Sequence, residues 1–311
     1  RKPLSHNDLR TLLFFSFFAY LVIFLHADPL TMPINSYNRG NNKQQRGEKM
    51  EQIIYDGPLV FGKANAKLKA LEKIHGKLST FSVLSGHTCP YAKECHSKAV
   101  VVDGKRRIQD GKHTKFRCFS ASQEVQYDGV YNSRAGNSQV ITAAARDCNG
   151  TAIAISRAIP KNTKIVRIHV GGDFKTQAYF DCWMKVAETN PQIHFYAYTK
   201  SLPFWVARMK ELKSLPNFVL TASRGGHKDE LIFKHNLREA VVVYSEEQAA
   251  ELELEIDHDD SHAANRGGNF ALLIHGTQPK GSEAGEALKQ LKKKGWTGYS
   301  DKGRKNVKAK A

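Results

Sequence analysis

The 311-residue sequence predicts an α/β fold: an incomplete (β/α)6 barrel-like parallel sheet with a cysteine-bearing loop after its first strand. Three observations predict it. Short runs of β-branched and aromatic residues recur along the chain, and between them apolar residues fall at helical spacing. Strand and helix alternate in units of roughly 25 residues, the pattern of parallel strands joined by right-handed crossovers. There are about six such units, fewer than the eight that close a barrel. A composition of 41% hydrophobic and 25% charged residues is that of a globular chain. It excludes wholesale disorder, collagen-like repeats and a polytopic membrane protein.

The first 52 residues stand apart from this pattern. Thr11 to Leu25 is an apolar run of fifteen, preceded by Arg1, Lys2 and Arg10. It is shorter than the ~20 residues of a membrane span. Three readings compete: an over-extended gene start with translation beginning at Met32 or Met50, a secretory signal or anchor, and a buried helix of the fold. Asn35 to Gln52 is a polar linker rich in Asn and Gly. The α/β domain runs over 57–295, and a basic tail over 296–311.

Within the domain each element has a local cause. Phe81 to Leu84 is the first strand, ending at Ser85-Gly86, and the cysteine loop runs from His87 to Cys118. Val125 to Ile159 reads as mostly helical, broken at Asp128-Gly129 and Asn149-Gly150. Lys164 to Val170 is a β-branched strand stopped by Gly171-Gly172. Thr176 to Glu188 is a helix with Phe180, Trp183, Met184 and Ala187 at helical spacing. Ile193 to Thr199 is a strand, and Pro203 to Lys213 a helix with Pro at its first position. Asn217 to Ser223, Ala240 to Tyr244 and Phe270 to His275 are strands, and Gly281 to Lys294 is a terminal helix.

Forty-seven Lys and Arg against 30 Asp and Glu give a net charge of +17, which suits a polyanionic partner such as nucleic acid. The excess is local. Residues 98–117 carry seven basic and two acidic residues, and 280–311 carry ten and three. Between Glu246 and Asp260 lie eight acidic residues and no Lys or Arg, which reads as a solvated helix and loop. The basic loop and tail are therefore the expected nucleic-acid contacts, and no stable membrane partner is expected for the domain.

The chain has five cysteines, too few for a disulfide scaffold and odd in number, so a reducing, cytoplasmic setting is expected. Cys148 and Cys182 lie in helical patterns beside apolar neighbours and read as buried thiols. Cys89, Cys95 and Cys118, spaced C-x5-C-x22-C, share one loop between a strand and a helix. Thiolates there suit zinc or an iron–sulfur cluster. Zinc would take a fourth ligand from His87, His96 or His113; a [4Fe-4S] cluster on three thiolates would leave one iron open. Unligated small side chains are the third reading.

The ends of the later strands carry the other candidates. A period of two puts Arg167 and His169 on one face of their strand. A charged face is costly in an otherwise apolar strand unless it lines a polar cavity. Gly171-Gly172 admits a close backbone approach, and Asp173 either binds an amine or hydroxyl or caps the next helix. His194, Tyr196, Tyr198 and Lys200 share a face of the next strand. Ser223, Arg224 and Gly225-Gly226 end the one after, where backbone amides could meet a phosphate or ribose. No phosphate-binding P-loop and no nucleophile elbow occurs, which lowers the case for an NTPase or serine hydrolase.

From GHTCPYAKEC, KFRCFSASQEVQYDGVYNSR, VRIHVGGDFKTQAYFDCW, HFYAYTKSLPFW, FVLTASRGG and the tail segment GSEAGEALKQLKKKGWTGY, the chain resembles the bacteriophage gene product 88 family over Gly57 to Lys305. That family implies a viral or prophage origin and no activity. A more distant resemblance is to radical S-adenosylmethionine enzymes. Cys89, Cys95 and Cys118, with Phe119 after the last, match their cluster loop. Gly171, Gly172 and Asp173 match the motif that holds the cofactor's amino group. The chain departs from them in cysteine spacing and in having Asp for Glu. The resemblance implies a [4Fe-4S] cluster on the three cysteines and S-adenosylmethionine at Gly171, Gly172, Asp173, Ser223 and Arg224. Arg167, His169, Tyr196 and Tyr198 would be the catalytic lining. The competing expectation is a non-enzymatic nucleic-acid-binding phage protein with a structural zinc or cluster.

Overall fold

Residues buried on both faces of a parallel sheet must be apolar in unbroken runs, and such runs form the central strands here. The computed structural model describes residues 58–296 and 298. β1 (Gly62–Lys63), α1 (Lys69–His75) and β2 (Leu78–Phe81) come first. A hairpin, β3 (Ser97–Val102) and β4 (Lys105–Asp110), is followed by α2 (Phe119–Gln126), α3 (Asp128–Asn137), α4 (Gln139–Arg146) and α5 (Cys148–Ala158). Next are β5 (Ile165–Ile168), α6 (Gln177–Thr189), β6 (His194–Thr199), α7 (Leu202–Val206), α8 (Met209–Leu212) and β7 (Phe218–Ser223). The chain closes with α9 (Glu230–Lys234), β8 (Glu239–Val243), α10 (Glu246–Glu251), β9 (Glu255–Ile256), α11 (Ser261–Ala264), β10 (Phe270–Leu273) and α12 (Glu283–Lys293). Side-chain caps set several helix starts: Asp147 accepts from Gly150 N–H, Thr176 from Tyr179 N–H and Ser282 from Gly285 N–H.

The main sheet has eight strands in the order β1-β2-β5-β6-β7-β8-β10-β9. All pairings are parallel except β1 with β2. From β2 to β8 each new strand of the sheet adds beside the last, and β10 then lies between β8 and β9. It is a mixed α/β fold with a mostly parallel sheet. The sheet is open: β1 and β9 are its edges, and no closed barrel exists among the described residues.

The two faces bury different layers. Phe81, Val166, Ile168, Phe195, Ala197, Phe218 and Leu220 pack against α4, α5 and α6, around the fully buried Trp183. On the other face Leu78, Ile165, Tyr196, Val219, Ala240 and Phe270, from six different strands, meet Leu68 and Leu71 at α1 and Ala263 and Ala264 of α11.

The six strands expected from the sequence all form, within three residues of their expected bounds, and the short β9 is a seventh parallel strand that the sequence did not announce. The first ends earlier than Leu84, because Val83 N–H already bonds Gly171 O across the loops at 3.0 Å. The helical stretch 125–159 resolves into parts of four helices, and 203–213 into two. The expected cysteine loop contains the β3–β4 hairpin, turned by Asp103 and Gly104, both at positive φ (49° and 71°), the signature of a type I′ turn. The acidic stretch is a correction: Glu246–Glu251 is an exposed helix, but Asp257 and Asp260 are fully buried. The apolar N-terminal run, the polar linker and nearly all of the basic tail lie outside the described residues. Among the described residues no helix is long and apolar enough to cross a membrane.

Candidate functional site

The carboxyl ends of the strands are stitched together by side chains that lie just past each strand. Ser82 Oγ, after β2, accepts from the N–H groups of Val170 and Gly171, after β5. Asp173 then reaches the end of β6: its carboxylate accepts Thr199 Oγ1 at 2.6 Å and Lys200 N–H at 2.8 Å. Lys200 continues to the end of β7, where its Nζ donates to Ser223 O and Oγ, each at 2.8 Å, and to Arg224 O at 2.6 Å. Arg224 closes on β8 through a two-toothed pair with Glu239. Burial pushes the Asp173 carboxyl up to about 6, against the bonds from Thr199, Lys200 and Phe174.

The cysteine loop docks on this edge. Lys93 and Glu94 N–H bond Gly225 O, His227 N–H bonds Tyr91 O, and Ala92 bridges Gly226. Cys118 N–H donates to Ser97 Oγ at 3.3 Å, and Phe119 packs on His275 just past β10. Gly172 makes the docking tight: it has φ +85°, and a Cβ there would lie 2.4 Å from Val83 Cγ2.

The three thiols are half-buried residues held near one another. Burial pushes Cys89 well up, and Asp173, Cys118 and Cys95 add to it, while Gly86 N–H on the sulfur pulls down. Burial raises Cys95, opposed first by the ammonium of Lys200. Burial and Cys95 raise Cys118 to about 11, although the amides of Ala121 and Ser120, at the start of α2, favour its thiolate. Of the three sulfurs, that of Cys89 accepts a backbone hydrogen bond, from Gly86 N–H at 3.3 Å. Among the described residues no three His, Cys, Asp or Glu side chains converge on a single ion. His87 and His96 turn a ring nitrogen to the carbonyls of Ala99 and Gly86, at 2.8 and 3.3 Å.

A second polar centre lies on the face of the sheet that carries α1 and α11. Asp260, at the start of α11, is fully buried and accepts Arg167 at 2.5 Å, Lys67 at 2.6 Å, Tyr196 OH at 3.0 Å and Tyr198 OH at 3.3 Å. Arg167 also stacks on the Tyr198 ring. Burial opposes the Asp260 charge, but Arg167 and Lys67 outweigh it and hold the carboxyl at about 2. Burial and then Asp260 push both tyrosines well above their ordinary range.

The expected catalytic residues therefore divide. Arg167, Tyr196 and Tyr198 meet at Asp260. His169 does not join them: β5 ends at Ile168, so the period of two stops applying, and His169 falls among Phe174, Tyr179 and Trp183. Its Nε2 bonds Tyr179 OH at 2.9 Å, and burial lowers its pKa to about 3, so it is neutral. The expected cofactor residues are engaged by the protein itself. A Cβ on Gly171 would meet Ser120 Oγ and Arg134, Ser223 binds Lys200, and Arg224 binds Glu239. The Gly225 and Gly226 amides, offered as a phosphate nest, hold the carboxylate of Asp229 at 2.8 and 2.9 Å.

The sequence reading missed Lys67, Asp260, Thr199 and Glu124. Glu124, fully buried in α2 beside Cys118, takes Arg134 at 2.8 Å and Ser85 on one oxygen. Only Asp260 had a local signal, a Ser and His-Ala-Ala run after it that suits a helix start.

No curated protein and no solved structure matches this chain. The family model for gene product 88 matches residues 58–295, from just before β1 through α12 and across both polar centres. The chain belongs to the gene product 88 family.

Proposed function

We propose that this is an iron–sulfur protein of phage type whose cluster sits on Cys89, Cys95 and Cys118, in an incomplete barrel-like sheet. The observation that carries the reading is the set of three thiols close enough to feel one another's charge, on the loop that docks at the strand ends, with Gly86 N–H on the Cys89 sulfur. Amides on sulfur and a nearby cation favour the thiolate that metal binding needs, and tune a cluster's potential. Lys200 supplies the cation beside Cys95. Thiols close enough to feel one another's charge suit a soft metal centre. A cluster on three thiolates would supply one-electron chemistry at an iron that no protein ligand holds.

S-adenosylmethionine fits less well. The carboxylate matched to its ammonium, Asp173, already takes Thr199, Lys200 and Phe174, and the faces of Gly171 and Gly172 are filled by the protein's own side chains. Arg167, Tyr196 and Tyr198 fix the inner face around Asp260. The second reading, a nucleic-acid-binding phage protein with a structural metal clip, is favoured by the engagement of every matched cofactor residue within the protein.

Anaerobic purification with iron and sulfide analysis tests the first reading. A brown protein with about four irons per chain, lost in Cys89→Ala, is expected. A colourless protein holding one zinc overturns it.

A further inference from the structure

The hairpin between Cys95 and Cys118 has two unlike faces. Strand alternation puts Ala99, Ile108 and Arg106 on one of them. The inner part of that face is packed, where Ala99 meets Tyr131 and Ala135 and Arg106 stacks on Tyr131 and bonds Glu124 O, while Val101 near the turn is exposed. The other face carries Lys98, Val100, Val102, Lys105, Arg107 and Gln109. It holds three cations and no carboxylate, and all of it is exposed or half-buried. Arg106 and Arg117 are paired, with Asp128 and Asp110, but Lys98, Lys105 and Arg107 make no ion pair among the described residues.

We infer that this outer face is a nucleic-acid-binding ribbon that holds a phosphodiester backbone next to the thiol centre. It deepens the reading above, on which it rests for the chemistry beside the ribbon, by naming the substrate class. Three features point to nucleic acid. A two-stranded antiparallel ribbon is one of the two elements that the major groove of a duplex admits. Lys105 and Arg107, two residues apart on β4, stand about 7 Å apart along the strand, about twice the 3.4 Å axial rise per phosphate of one duplex strand. The apolar Val100 and Val102 between the cations offer contact to sugars and bases rather than further charge. The base of the ribbon is fixed at the thiols, since Ser97 of β3 is two residues from Cys95 and its Oγ accepts from Cys118 N–H. The Lys98 side chain lies against Gly86, whose amide donates to the sulfur of Cys89.

The test is binding of fluorescein-labelled oligonucleotides, single-stranded and duplex, to the full chain over a range of salt. Lys98→Glu, Lys105→Glu and Arg107→Glu together should weaken binding at least about tenfold and lower the salt slope by about two to three. The neutral triple Lys98→Gln, Lys105→Gln, Arg107→Gln should do the same more mildly, with the fold kept by its circular dichroism. Lys73→Glu, Lys210→Glu and Lys213→Glu, exposed and outside the hairpin, make an equal charge change and should leave binding nearly intact. Equal losses in the two glutamate triples, unchanged binding in the ribbon variant, or binding to anionic vesicles but to no oligonucleotide each overturns the ribbon. Cys89→Ser should lose iron and keep binding. Wild-type protein that purifies anaerobically without iron yet shows the ribbon effect sinks the cluster reading alone, and iron-loaded wild-type protein without the effect sinks the ribbon alone.

Discussion

Arg167 donates to the carboxylate of Asp260 at 2.5 Å across 93 positions of sequence, inside the protein. Lys67 reaches the same carboxylate from the start of α1, at 2.6 Å, so one aspartate gathers charges from beside β1, from β5 and from the loop after β9. Removing Asp260 takes away the carboxylate that Arg167 and Lys67 share inside the protein. Asp260→Ala should cost about 3 to 5 kcal/mol, as for breaking any buried ion pair from one side. Arg167→Met combined with Asp260→Ala should cost less than the sum of the single changes, because the stranded charge goes too. Urea unfolding of the singles and the double measures it, and additive losses would show that the network is not coupled.

Lys200 makes the second long-range tie, joining the ends of β6 and β7 through three acceptors while its own N–H holds Asp173. Lys200→Met keeps the length and buries well, but leaves Ser223 O and Arg224 O short of a donor. A loss of about 2 to 3 kcal/mol is expected, the range for bonds from a charged donor. Amide exchange should accelerate from Gly225 to His227, where the cysteine loop docks, more than in α6.

The strands were legible because burial on both faces writes itself into the sequence as apolar runs, as in Phe218 to Leu220 and Phe270 to Leu273. The inward tyrosines were legible from alternation, since Tyr196 and Tyr198 do share a face. Asp260 was not, because an aspartate in an acidic run reads the same whether solvated or buried; only the fold brings Arg167 and Lys67 to it. The glycine pairs were legible as places of close approach, but not what approaches. At Gly171 and Gly172 it is Ser120, Arg134, Thr88 and Val83; at Gly225 it is Glu94, and Asp229 takes the amides of both Gly225 and Gly226. The β3–β4 hairpin carried an Asp-Gly turn signal between two strand-like runs, and cysteine spacing drew the reading towards a loop instead.

His169 and His275 give the stability a pH dependence. Burial holds both near a pKa of about 3 in the folded chain, against an ordinary value of 6.5. Between these values the unfolded chain binds protons that the folded one refuses. Stability is therefore fully present above pH 6.5 and is lost as the pH falls towards 3. Each histidine contributes a slope of about 1.4 kcal/mol per pH unit in mid-window. His169→Gln, which keeps a polar group for Tyr179, should flatten the slope by one histidine's share without moving the plateau's position. Urea midpoints from pH 3 to 7 measure it, and an unchanged slope would mean that His169 titrates normally.

Cys148 and Cys182, the two thiols outside the cysteine loop, lie close enough to feel each other, one at the start of α5 and the other inside α6. Burial, followed by the charge of its neighbour, pushes Cys182 up to about 12, so at neutral pH the pair is protonated and slow to react. Oxidation by an added disulfide such as oxidised glutathione removes two electrons and two protons from the pair, and reduces the reagent to two thiols. Because α5 and α6 pack against each other in the main core, the cross-link should form without unfolding them. Peptide mapping after mild oxidation of the metal-free chain should find Cys148 joined to Cys182. The link should form more slowly than oxidation of an exposed thiol, and its rate should rise with pH. Cys148→Ser should leave Cys182 unmodified, since Cys182 is fully buried. Mixed disulfides on Cys182 alone, or links from Cys148 to Cys89, Cys95 or Cys118, would contradict this adjacency.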